Sequence, residues 1–204
     1  MRAFIYGLIA ALILGGTGGF GSDWTASLAS IKAAAGAVSS IRADFSQEKH
    51  LKILSRPLVS TGVLYYRRPL SLRWEYREPV KSVLLLHAGR VRRFVWDRDA
   101  FRETSGSGVD AVRFVAEEIP RWLQGRFDAN PDFSVALQDT TIVLKPKSAA
   151  LAGVIERIEL HLAQQPGVID SVTVFEGPDS FTRFTFRNTQ VNTELPEAVF
   201  TEVR

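Results

Sequence analysis

The sequence predicts a mainly β protein with some α: one large antiparallel sheet that curls, with two helices against its concave face. Three observations carry this. Apolar and polar residues alternate strictly in "LSLRWEY", where Leu70, Leu72, Trp74 and Tyr76 interleave with Ser71, Arg73 and Glu75. Period two places one greasy face on a strand. About ten or eleven segments of this kind follow one another at close spacing, more strands than a flat sheet holds comfortably. Only two stretches repeat their apolar residues at helical spacing.

The first 21 residues stand apart from that pattern. "MRAFIYGLIAALILGGTGGFG" has one arginine, an apolar run from Ala3 to Leu14, then small residues. That is a signal-peptide pattern, too short for a comfortable membrane span. A single domain is expected over residues 22–204. The chain has no cysteine, so neither a disulfide nor an N-terminal lipid anchor through cysteine is expected. A cysteine-free exported chain suits the periplasm, where the core alone must provide stability. Hydrophobic residues make up 46% of the chain, enough for such a core. The net charge of +3 is too small to suggest nucleic acid as a partner, and no dense basic run is present.

The elements follow in order. "SDWTASLASIKAAAGAVSSIRADF" reads as one helix capped by Asp23, with Leu28, Ile31, Ala35, Val38 and Ile41 on one face. Strands are expected at "ADFSQEKHL", "LVSTGVLYY", "LSLRWEY", "SVLLLHAG" and "RVRRFVWD", with a tight turn at Ala88-Gly89. A Ser/Gly-rich loop then leads into a second helix. Val112, Val115, Ile119 and Trp122 share one of its faces, and Pro120 is expected to kink or split it. Strands return at "DFSVALQ", "TIVLKP", "IERIELHL", "GVIDSVTVFE", "SFTRFTFRN" and a short "AVFTEV", with turns at Pro166-Gly167 and Gly177-Pro178.

Catalytic chemistry finds no footing. His50, His87 and His161 are scattered, none at metal-ligand spacing from another. Gly106-Ser107-Gly108 precedes a helix but lacks the Lys-Ser/Thr of a phosphate loop. Glu117 and Glu118 are adjacent on a helix and diverge. No serine sits in a G-x-S-x-G elbow. Neither an enzyme, nor a cofactor, nor a metal site is expected. The aromatic residues carry more weight. For any one of them a packed core is the simpler reading. A broad curled sheet under two helices, however, leaves concave apolar surface that few side chains can fill. The expected wall comprises Leu64, Leu72, Trp74 and Tyr76 on the first strands and Leu84, Leu86, Phe94 and Trp96 on the next. Val112, Val115, Ile119 and Trp122 would face it from the helix.

"SIRADFSQEKHL", through Phe45 and Gln47, resembles the opening strand of the periplasmic outer-membrane lipoprotein carriers, the LolA-like family. "GVLYYRRPLSLRWEYREP" is similar to that family's G-x-L-x-x-x-R-P-x-x-x-x-W-x-x-x-x-P block at Gly62, Leu64, Arg68, Pro69, Trp74 and Pro79. "LLLHAGRVRRFVWD" resembles its hairpin, with Ala88 in place of Asp, and "TIVLKPKS" its F-x-L-x-P-K strand. The resemblance implies an incomplete, half-open antiparallel β-barrel with a helical lid around a cavity for acyl chains. It implies lipoprotein cargo, an inner-membrane ABC transporter as donor and an outer-membrane acceptor. It makes Arg68 a lid latch, donating to lid backbone. Arg67, its neighbour on the opposite strand face, is expected to be nearly silent. A monomer is expected. The chain ends near "ELPEAVFTEVR", where typical carriers run on, so a glycolipid or aryl-polyene-type lipid is an alternative cargo. A non-lipid periplasmic module that binds a protein on its concave face is a further alternative.

Overall fold

The computed structural model describes residues 27–104 and 118–203. The expected leader, Asp23, Val112 and Val115 lie outside the described residues. Eleven strands form one sheet in the order β6-β5-β4-β3-β2-β1-β11-β10-β9-β8-β7. They are β1 (Ser40–His50), β2 (Leu58–Arg67), β3 (Ser71–Glu78), β4 (Ser82–His87), β5 (Arg90–Asp97), β6 (Ala100–Glu103), β7 (Phe133–Gln138), β8 (Thr141–Pro146), β9 (Arg157–Leu162), β10 (Ile169–Gly177) and β11 (Ser180–Val191). Every pairing is antiparallel. The edge strands β6 and β7 do not pair with each other, so the barrel stays open.

Register builds one continuous apolar face. Ala43, Leu64, Trp74 and Leu84 stand opposite one another across β1 to β4. Phe184, Val172, Leu160 and Ile142 do the same across β11 to β8. Directly opposed residues share a face, so both rows belong to the concave side and its single large core. The convex side carries a small second cluster of Val83, Leu85 and Phe94.

Among the described residues, four helical segments accompany the sheet. α1 (Leu28–Gly36) begins at Ser27, whose side chain accepts from the Ser30 N–H. It is shorter than the sequence suggests. Ile41 is not helical but sits in β1, paired with Tyr66 and Val191. Gly36 and the β-branched and serine residues after it favour leaving the helix, and the ladder on both sides of β1 captures them. α2 is helical over residues 118–123 and includes Pro120, whose carbonyl accepts from the Gln124 N–H. α3 (Ala149–Ala152) leads into β9. α4 (Ala198–Thr201) replaces the strand expected at "AVFTEV". Its Phe200 is buried against the convex side, where no free strand edge is offered. β6 has no counterpart in the sequence reading; it is a four-residue edge strand with a weak pattern. Ala88 and Gly89 both have positive φ, 49° and 73°, as a two-residue hairpin turn requires.

α1 packs against two loops. A Cβ on Gly167 would stand 2.4 Å from the Ala35 nitrogen, and one on Gly125 2.7 Å from the Lys32 carbonyl oxygen. Both loops therefore press directly on the α1 backbone, and Lys32 adds an ion pair to Asp128 at 2.5 Å. Among the described residues no helix is long and apolar enough to cross a membrane.

Candidate functional site: an apolar cavity under the helices

A cavity of about 390 Å³ lies between the concave face and the helices. Strands β2 and β3 contribute Leu64 and Trp74, and α2 contributes Ile119, Trp122 and Leu123. Leu151, Val154 and Ile155 come from α3 and the loop after it. Ile158, Ile169, Val172, Val174 and Glu176 come from β9 and β10, and Thr182, Phe184 and Phe186 from β11. The size falls within the range of small-ligand sites. Glu176 and Thr182 are the lining side chains that carry oxygen. The cavity has a direction. Trp74 and Trp122 are 4% and 6% exposed at its inner end, while Val154 is 65% exposed at the other. Glu176, also exposed, stands on that outer rim and pairs with Lys49 at 3.7 Å.

The inner wall is held by tilted and edge-on rings. The Trp74 indole lies 4.7 Å from Phe45, 5.3 Å from Phe184 and 6.2 Å from Phe186, the last two edge-on. Such pairs each add roughly 0.5–1.5 kcal/mol beyond area burial. Gly62 makes room for them, since a Cβ there would stand 2.0 Å from the Glu75 carbonyl oxygen and 2.6 Å from Phe45 Cζ. Tyr76 donates to Gln47 Oε1 at 2.6 Å. Burial raises the Tyr76 phenol above its ordinary pKa. The Trp74 N–H approaches the phenol oxygen and opposes that rise, without reaching full hydrogen-bond geometry. Tyr66 is likewise raised by burial, opposed by Gln124 and by the charge of Arg68.

The structure sorts the expected wall residues into groups. Leu64, Trp74, Ile119 and Trp122 line the cavity. Leu72, Tyr76, Leu84 and Leu86 lie on the same face but pack into the core beside it. Phe94 and Trp96 are corrected: both are on the convex side. Phe94 pairs with Val83, and the concave residues of β5 are Val91 and Arg93, opposite Leu86 and Leu84. Trp96 is 37% exposed, under Lys81 and edge-on to Phe101. Ring size suggests a cavity role for these two, but strand parity overrules it. The far wall, Ile158, Val172, Val174, Phe184 and Phe186, escaped the sequence reading. Its signal was the alternation at Val172 and Val174 and at Phe184 and Phe186, broken by Phe175 and Phe181 and so weaker than that around Trp74.

Arg68 Nε donates to the Val38 carbonyl at 2.7 Å, and Nη2 to the Ala35 carbonyl at 3.3 Å. Those are the last carbonyls of α1 and its exit, where a helix has acceptors to spare. Gln124, just past α2, donates to the Pro69 carbonyl at 3.0 Å. The Arg68-Pro69 corner thus touches both α1 and the α2 segment. Arg67 faces the other way but is far from idle. It donates to the Leu195 carbonyl at 2.9 Å, pairs with Glu197, and covers the Phe200 ring at 4.8 Å. Arg73 donates to the Glu202 carbonyl at 2.7 Å, and His87 Nε2 lies 2.8 Å from Glu197. These side chains fasten the C-terminal segment to the convex side.

The model of the family described as outer membrane lipoprotein carrier protein LolA matches residues 36–202. No curated protein matches the chain. Among solved structures, a DUF1329 family protein from Desulfovibrio piger is 11% identical, with TM-score 0.47, covering 85% of this chain and 94% of that one. A LolA superfamily protein from Nitrosomonas europaea is 9% identical, with TM-score 0.43, covering 86% and 96%. MucB in complex with MucA(peri) is 14% identical, with TM-score 0.46, covering 83% of this chain and 56% of that one.

Proposed function

Because the chain belongs to the LolA outer membrane lipoprotein carrier family, we propose that it is a periplasmic, non-enzymatic carrier that shields acyl chains in the cavity. The observation that supports this most is the cavity itself: lined by buried Trp74 and Trp122 at one side and exposed Val154 at another, and walled almost wholly by aliphatic and aromatic side chains. Each CH₂ left in water costs about 0.8 kcal/mol, so an acyl chain of about 16 carbons carries roughly 12 kcal/mol of unfavourable exposure. A carrier must relieve that cost and still let go. A few hydrogen bonds at the Arg68-Pro69 corner suit such a closure, each worth about 0.5–1.5 kcal/mol and somewhat more with a charged donor.

On this reading the cargo is lipoprotein, received from an inner-membrane ABC transporter and passed to the outer membrane, and the protein acts as a monomer after removal of its leader. Native mass spectrometry of protein recovered from the envelope fraction tests it. Recovered protein should carry an acyl-containing ligand, and should take one up when offered acylated lipoprotein. Ligand-free protein under every loading condition would contradict the proposal.

A further inference from the structure

Of the eight large hydrophobic side chains that are exposed among the described residues, seven lie at one end of the sheet. That end is where β1 and β3 finish, where β2 and β4 begin, and where β10 turns back as β11. Ile53 and Leu54 crown the loop between β1 and β2, with Ile53 87% exposed. Val80 stands on the turn between β3 and β4, and Trp96 near the end of β5. The exception, Leu70, lies at the opposite end, between β2 and β3. The exposed part of the cavity lining belongs to the crowded end. The Glu156 N–H donates to the Phe175 carbonyl at 2.7 Å, which sets the approach to β9, with Val154, against the end of β10, with Glu176. Exposed apolar groups gathered in one place mark a surface that binds something. Leu58 and Val59 say how it is covered. Both are over half exposed, and they point to opposite faces of β2: Leu58 pairs with Lys49 on the concave side, Val59 with Glu48 on the convex side. A folded partner seated on one face would cover one of them. An apolar medium entered end-on takes both. The charges complement a bilayer. Around the turns β1–β2, β3–β4 and β5–β6, Asp179 pairs with Lys52, and Asp97 and Asp99 with Arg102. Arg56, Lys81 and Arg98 have no ion pair among the described residues, and Glu78 is the acid there in the same state. Lys81 lies 5.2 Å over the Trp96 ring, an ammonium beside an indole as at a membrane–water interface.

We propose that this end of the barrel docks directly on an anionic lipid bilayer. Ile53, Leu54, Leu58 and Val80 enter between the headgroups, and Arg56, Lys81 and Arg98 lie against lipid phosphates. A few aliphatic tips and three free cations make a shallow, reversible contact that salt weakens. Val154 and Glu176 then face the bilayer, so a lipid can pass between membrane and cavity without crossing water. The contact stands on the exposed residues alone; its purpose rests on the carrier reading.

The test is co-flotation of the full mature chain with protein-free vesicles of phosphatidylethanolamine and phosphatidylglycerol, and with vesicles of phosphatidylcholine alone. The parent should float with the anionic vesicles, less with the neutral ones, and less as salt is raised. Ile53→Ser combined with Val80→Ser removes two apolar tips outside the cavity lining. It should keep the parent's melting temperature and its uptake of acylated lipid, and lose at least about tenfold in vesicle affinity. Leu70→Ser, at the far end, should bind vesicles as the parent does. A parent that does not float, or a Leu70→Ser loss equal to that of the double variant, would overturn the proposal; lipid uptake, measured separately, still decides the carrier reading. Binding to native inner-membrane vesicles, but not to vesicles of the lipids extracted from them, would overturn it in favour of a protein partner. A concentration-dependent dimer in sedimentation equilibrium that the double variant abolishes would overturn it in favour of a second copy of the chain.

Discussion

Arg68 and Val38, thirty residues apart, are joined by a 2.7 Å hydrogen bond from the guanidinium Nε to the carbonyl. The bond ties the strand corner before Pro69 to the exit of α1, and a second one reaches Ala35. Arg68→Leu removes both and should loosen α1 by about 1.5–3 kcal/mol, the usual worth of one bond from a charged donor, the 3.3 Å bond adding little. Arg68→Lys should recover only part, because an ammonium lacks the planar fork that spans two carbonyls. Amide exchange in α1 measures the loosening, and lipid handover measures its consequence. Unchanged exchange in Arg68→Leu would remove the latch from the account.

Arg67 makes a separate prediction. It was expected to be silent, yet it holds Leu195, Glu197 and Phe200. Arg67→Leu should release the segment around α4, seen as faster exchange of the Phe200 amide, while α1 protection stays as in the parent. Loss of α1 protection instead would mean that the two arginines do not act on separate faces.

The same contact sets a pH dependence. The hydrogen bond from Arg67 comes first, then the charges of Arg67 and His87, in holding the Glu197 carboxyl below its ordinary pKa. A depressed acid contributes stability above its unfolded pKa and loses it as pH falls through the folded value. Docking of residues 195–203 should therefore be unaffected near neutrality and weaken only in acid, below the ordinary glutamate range of about 4.3. Glu197→Gln should show weakened docking at neutral pH and no further acid step. An acid step that persists in Glu197→Gln would assign the transition to another group.

Gly62 is predicted to be intolerant. A Cβ at that position meets the Glu75 carbonyl and the Phe45 ring at impossible distances, and neither can retreat without disturbing Trp74. Gly62→Ala should cost about 3 kcal/mol, at the upper end of overpacking. A melting temperature equal to the parent would show that β2 can shift away from Phe45.

Much of this fold was legible because antiparallel sheets with one buried face write their parity into sequence. Among the described residues, ten of the eleven strands fall on segments that read as strands, most by alternation and β4 and β8 by short apolar runs, and the Ala88-Gly89 turn is local chemistry. β6 was missed because an edge strand of four residues needs no pattern of its own. "AVFTEV" misled because its alternation equally suits a helical turn that buries Phe200 on a surface shaped by Arg67 and His87. The site was half legible for a different reason. Parity tells which face a residue occupies, but not whether the space above that face is filled. Leu72 and Leu84 share the face of Trp74 and are packed, while Val172 and Phe184 line the cavity.

The central claim, that acyl chains occupy the space between Trp74 and Val154, is tested most directly by photocrosslinking. A fatty acyl probe with a diazirine along its chain should be activated on the loaded protein and the adducts located by mass spectrometry. The account predicts adducts on cavity residues such as Val172, Val174 and Phe184, reduced when natural acylated lipid competes, with none on Val83 or Phe94 across the sheet. Labelling confined to the convex side, or labelling that natural lipid does not reduce, would contradict it.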